Sequence, residues 1–147
     1  MWNRPMRRSV FYLLATALVA VAAVGILTGS AAAPTTKGLA LQTAVDPARA
    51  LAGNRDEAHV FVAVYNEAGP VHGVAAGGFS VAIVAAPESA SPVRKVGVIE
   101  PVAGVYRISL APELSSHRWT RGLYVISISV TSPSGSGVVL AELEIGG

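Results

Sequence analysis

Near the C-terminus the chain reads GLYVISISV, Gly122 to Val130, and the strict alternation in this run constrains the fold more than any other feature. Tyr124, Ile126, Ile128 and Val130 fall on one side of an extended chain, and Val125, Ser127 and Ser129 on the other, because successive strand side chains point to opposite faces. One side suits a dry interior and the other is largely wet. A helix would scatter the same apolar positions around its circumference. The pattern recurs upstream and downstream. HVFVAVY places Val60, Val62 and Val64 together, FSVAIV does so for Phe79, Val81 and Ile83, and GVYRISL sets Tyr106, Ile108 and Leu110 against Arg107 and Ser109. VVLAELEI turns Val139, Ala141, Leu143 and Ile145 inward, with Glu142 and Glu144 outward. LALQTAV, Leu39 to Val45, reads as a first strand and VRKVGVI, Val93 to Ile99, as a weaker one. Between these runs stand DPARALAGN, NEAGP, APESASP, EPVAG and SPSGSG, rich in the residues that preset or tolerate turn dihedrals. From Leu39 onward no long stretch has helical periodicity, and neither an internal repeat nor a second domain is visible. The reading is all-β, a seven-stranded Greek-key sandwich, with a closed barrel as its structural competitor.

The first residues belong to a different class. Arg4, Arg7 and Arg8 precede VFYLLATALVAVAAVGIL, Val10 to Leu27, which has no charged side chain and is followed by TGSAAAPTT. Basic head, apolar middle and small-residue tail make a secretory signal. The 18-residue run lies where signal h-regions and membrane-spanning helices overlap in length. Two outcomes stay open: a signal peptide cut near Ala31 to Ala33, or an uncleaved anchor helix with its arginines on the cytoplasmic side. The chain thus divides into 1–33, signal peptide or signal anchor, and 34–147, the sandwich, with Pro34 to Lys37 as a tether. In either case the folded part is expected outside the cytoplasm, and membrane contact only through the helix if it is retained. Three of the eleven basic residues sit in the first eight positions, leaving eight against nine acidic ones, a formal charge of −1. Without a basic excess, nucleic acid is not an expected partner. The absence of cysteine removes disulfides, thiolate ligands, a lipoprotein-type attachment and a cysteine nucleophile.

LALQTAVDPARALAGNRDEAHVFVAVYNEAGPVHGVAAGGFSVAI resembles the first half of bacterial immunoglobulin-like domains of the invasin and intimin kind. Pro47 and Gly53 fall in the connection between the first two strands, and Asn66, Gly69, Pro70, Val71 and Gly73 follow the order of the turn before the third. GVYRISLAP followed by GLYVISISV is similar to a pairing found in filamin-type sandwiches. The resemblance spans nearly all of Leu39 to Ile145 and implies an immunoglobulin-like sandwich. Its motifs are turn and core positions, so it speaks to fold rather than activity. The departure is APELSSHRWTRG, longer and richer in arginine and aromatic residues than a plain domain of this kind needs.

Few residues offer chemistry. The glycine-rich YNEAGPVHGVAAGGFSVAI reads as a strand connection, because no helix follows to present amides to a phosphate. His59, His72 and His117 are scattered without ligand spacing, and Asp46, Asp56, Glu57 and Glu67 form no calcium loop. No nucleophile elbow or acid and base couple stands out, so neither a catalytic set nor a cofactor is expected. The candidate partner-binding loop is SSHRWTRGLY, with His117, Arg118, Trp119 and Arg121, because Trp and Arg are frequent interface anchors. Trp119 has two readings, a contact residue or a plug at the end of the core. The expected function is a non-catalytic extracytoplasmic module for adhesion, structural or protein-binding roles, its partner an unknown protein or envelope component. The alternatives are a periplasmic copper-binding or delivery domain and a membrane-anchored accessory subunit of an envelope complex.

Overall fold

The computed structural model describes residues 38–46 and 50–147. The run Val10–Leu27, the tether 34–37 and Pro47 lie outside the described residues. Among the described residues no helix is long and apolar enough to cross a membrane.

Among the described residues eight strands follow in chain order: β1 Ala40–Asp46, β2 Ala58–Asn66, β3 Gly69–Pro70, β4 Phe79–Ala85, β5 Val93–Val102, β6 Val105–Pro112, β7 Gly122–Ser132 and β8 Gly135–Ile145. The larger sheet has the order β1-β2-β6-β5, with the two-residue β3 beside β2, and the smaller has β4-β7-β8. Every pairing between these strands is antiparallel. The all-β expectation holds, as two packed sheets.

Each predicted apolar side turns inward. Val60, Val62 and Val64 of β2 and Tyr106, Ile108 and Leu110 of β6 meet Phe79, Ile126, Ile128, Leu143 and Ile145 of the smaller sheet in one buried cluster. The Phe79 and Tyr106 rings touch across the gap, centroids 4.8 Å apart and tilted by 47°, a geometry that favours ring edges over faces. The strands differ from the sequence reading mainly at their ends. β5 runs on through Val102 because EPVAG continues the β5–β6 hairpin to a tight turn at Gly104. That turn requires glycine twice over: its φ is +75°, and a Cβ there would sit 2.6 Å from Pro70 Cβ.

The register gives the molecule two ends. Gly38 lies beside Ser136, so the chain enters at the end that carries the β2–β3, β5–β6 and β7–β8 turns. The β1–β2, β4–β5 and β6–β7 connections and the C-terminus occupy the opposite end, where Leu51 bridges Gly146.

Candidate interaction surfaces

At the C-terminal end, the β6–β7 connection turns Trp119 into the protein, leaving it 2% exposed. Its Nε1 donates to the Asp56 carbonyl at 2.7 Å. Its backbone N–H donates to the Asn54 carbonyl, and its own carbonyl accepts from Gly53 N, both at 2.9 Å. Tyr124 meets the indole edge-on, centroids 5.5 Å apart, while its hydroxyl accepts from Thr120 N at 3.1 Å and donates to Thr120 O at 3.2 Å. Tyr124 is the third residue of β7, so this bond folds the loop back onto the strand it feeds. Trp119 therefore closes the core and is not available to a partner. Arg118 directs Nη1 to the carbonyls of Ser115 and His117, both at 2.9 Å, so its guanidinium stiffens its own loop. Of the four residues singled out in this loop, Arg118 and Arg121 are exposed and His117 is half-buried.

At the other end, the glycine-rich connection lies over an open cleft of about 440 Å³, lined in part by His72, Gly73, Thr131, Ser132 and Ser134. Four of its amides, those of Val71, Gly73, Val74 and Gly78, are engaged within the fold. Glu100 accepts from Gly73 N at 2.9 Å and Gly104 N at 2.7 Å. The Tyr106 hydroxyl accepts from Val74 N at 3.0 Å and donates to Val71 O at 2.8 Å. Val71 N bonds Val64 O, and Gly78 N bonds Ala75 O. A phosphate cradle needs several amides pointing outward together, and here four of them are already donated within the fold. The amides of Gly104 and Gly73 hold the Glu100 carboxyl below its ordinary pKa, aided by Tyr106 and the nearby His72. Burial pushes the Tyr106 phenol up, with the Glu100 charge adding to it against the Val74 amide. The phenol thus stays protonated and remains a donor to Val71 O.

The histidines stay apart. His59 is on the outer side of β2, 3.7 Å from the Glu57 carboxylate, whereas His72 and His117 sit in connections at opposite ends. Among the described residues no group of three or more His, Cys, Asp or Glu side chains could hold a metal ion.

What the two sheets present outward differs. On the smaller sheet, register aligns Ser80, Ser129 and Val138 in one row and Ala82, Ser127 and Leu140 in the next. Val125 opposite Glu142 follows, then Leu123 opposite Glu144. Val138 is 67% exposed, Val84 61% and Leu140 57%. β4, β7 and β8 contain no lysine or arginine, and their only charged residues are Glu142 and Glu144. On the larger sheet the central row is Ala44, Phe61, Arg107 and Ile99, flanked by Gln42, Ala63 and Val105 on one side and by Asp46, His59, Ser109 and Gly97 on the other. Ala63, Ser109 and Ala111 are buried although they point outward. Arg107 lies among these, its Nε buried without a hydrogen-bond partner.

The sheet edges are less open than the faces. β8 is flanked by β1, where Leu39 N bonds Ser136 O and Thr43 Oγ1 donates to Leu140 O. On β4, Lys95 crosses from β5 to donate to the carbonyls of Ala76 and Phe79, and a register break interrupts the strand between Ile83 and Ala85. β5 carries two such breaks and Pro101. Lysine, proline and bulges are the devices that blunt strand addition.

The outer apolar residues escaped the sequence reading, although one signal was present: Val138 and Leu140 share the parity of Glu142 and Glu144. Comparisons with family models, with curated proteins and with solved structures find no match for this chain.

Proposed function

We propose that the chain is a non-catalytic, extracytoplasmic immunoglobulin-like module that binds protein through the outer faces of its sheets. The observation that carries this reading is the smaller sheet's outer face, where Val84, Val138 and Leu140 are more than half exposed in a field without basic charge. Clustered exposed aliphatics mark contact sites more often than scattered ones. Two features support the immunoglobulin-like assignment. The order β1-β2-β6-β5 opposite β4-β7-β8 corresponds to the strand order of constant-type immunoglobulin sandwiches, and the Tyr124 hydroxyl bonding back to Thr120 corresponds to their tyrosine corner. Export rests on Arg4, Arg7, Arg8 and the run Val10–Leu27.

A photocrosslinking amino acid placed at Leu140 in the producing cell tests the reading. The expected result is a discrete protein adduct from Leu140 and none from Glu88, exposed in the β4–β5 loop. Absence of any protein adduct at Leu140 overturns it.

A further inference from the structure

Resting on the proposed protein-binding role of the outer faces, we infer that the protein bound is a second copy of this chain, the acidic apolar face of one copy stacking on the Arg107 face of the next. The two faces are complementary in charge and alike in surface chemistry. The smaller sheet offers Glu142 and Glu144 beside Leu140, Val138 and Leu123, with no basic residue in its strands. The larger sheet offers Arg107, its Nε without a partner and framed in its row by Phe61 and Ile99, with Arg94 exposed toward the C-terminal end and Asp46 as the acidic residue of the neighbouring row. Its remaining basic strand residue, Lys95, is spent on the β4 edge. A planar guanidinium with a covered stem suits a carboxylate arriving with apolar neighbours. Two acidic faces set against each other would repel, so the contact is between unlike faces.

These faces are on opposite sides of one sandwich, so each added copy exposes the face the next one needs. Such head-to-tail contacts propagate rather than close in a pair. The footprint is small. Three strands at about 4.8 Å spacing and seven residues of β4 at about 3.3 Å rise cover roughly 300–400 Å², below the about 800 Å² per partner of a standard stable interface. Each contact is therefore weak and becomes significant at high local concentration.

The cysteine-free sequence permits a direct test in the full chain. Two differently tagged versions, one with Ile99→Cys and one with Val138→Cys, are produced together and oxidised in the cell envelope. The expected product is a mixed disulfide, with little self-adduct from either version alone. A chain carrying both substitutions gives a ladder, because cysteines on opposite faces, separated by a core about 10 Å thick, cannot reach each other within one copy. Adding Arg107→Glu to the Ile99→Cys version lowers the mixed adduct about tenfold or more, and pairing it with a partner carrying Glu142→Arg and Glu144→Arg restores it. A dominant Val138→Cys self-adduct, or failure of the charge exchange to rescue, overturns unlike-face stacking. No adduct at all overturns self-association. In that event a Leu140 photoadduct to a different protein would leave the broader protein-binding reading standing.

Discussion

Trp119 shows how one residue can carry two sequence readings that only packing separates. Tryptophan in an arginine-rich loop has the composition of an interface anchor, yet the amides and carbonyls of 53–56 lie where its backbone and indole can bond them. Sequence spacing does not reveal that meeting, because the partners are more than sixty positions away in the chain. The burial of Ile126, Ile128 and Val130 was legible, since alternation alone assigns it. The Tyr124 and Thr120 bond was not, because it depends on how the loop turns. If Trp119 closes the core, Trp119→Ala costs about 3–5 kcal/mol of stability. Trp119→Phe, which keeps a ring but leaves the Asp56 carbonyl without its donor, costs about 1–3 kcal/mol. Denaturant titration of the three proteins measures both values, and an unchanged midpoint for Trp119→Ala would show that the indole is not a core element.

At the scale of elements, the strands were written plainly and the connections were not. The existence of β1, β2, β4, β5, β6, β7 and β8 follows from period-two runs between turn residues, whereas the two-residue β3 and the register breaks of β5 leave no periodic trace. The glycine-rich connection lies between strands, as its composition implies. Its fastening by Glu100 was hidden, because that residue comes from a distant hairpin. This fastening has a pH signature. Glu100 titrates below its usual value near 4.5, so its ionised form is favoured by the fold. The resulting stabilisation is present at neutral pH and is lost as pH falls from that value through the folded-state pKa. Thermal midpoints of the native protein and of Glu100→Gln should differ at pH 7 and converge in acid. A difference independent of pH would contradict this role.

For the molecule as a whole, the division of labour lies between an interior shared by both sheets and two unlike exteriors. Period-two alternation locates the interior and implies a solvated side on each strand, and composition points to the arginine-rich loop for binding. Parity of position cannot distinguish a wet face from an uncovered apolar one when valine, leucine and glutamate alternate with core residues on the same strand. Strand β8 carries both kinds of position within a few residues: Leu143 is fully buried, and Leu140 projects outward. Placing aspartate at each position in turn and following thermal unfolding is the most direct test. Leu143→Asp is predicted to unfold the domain, since an unpaired charge in the core costs several kcal/mol. Leu140→Asp is predicted to stay within about 0.5 kcal/mol of the native protein, as an exposed substitution does. Unfolding by both substitutions would place the outer face inside the core and contradict its assignment as a contact surface.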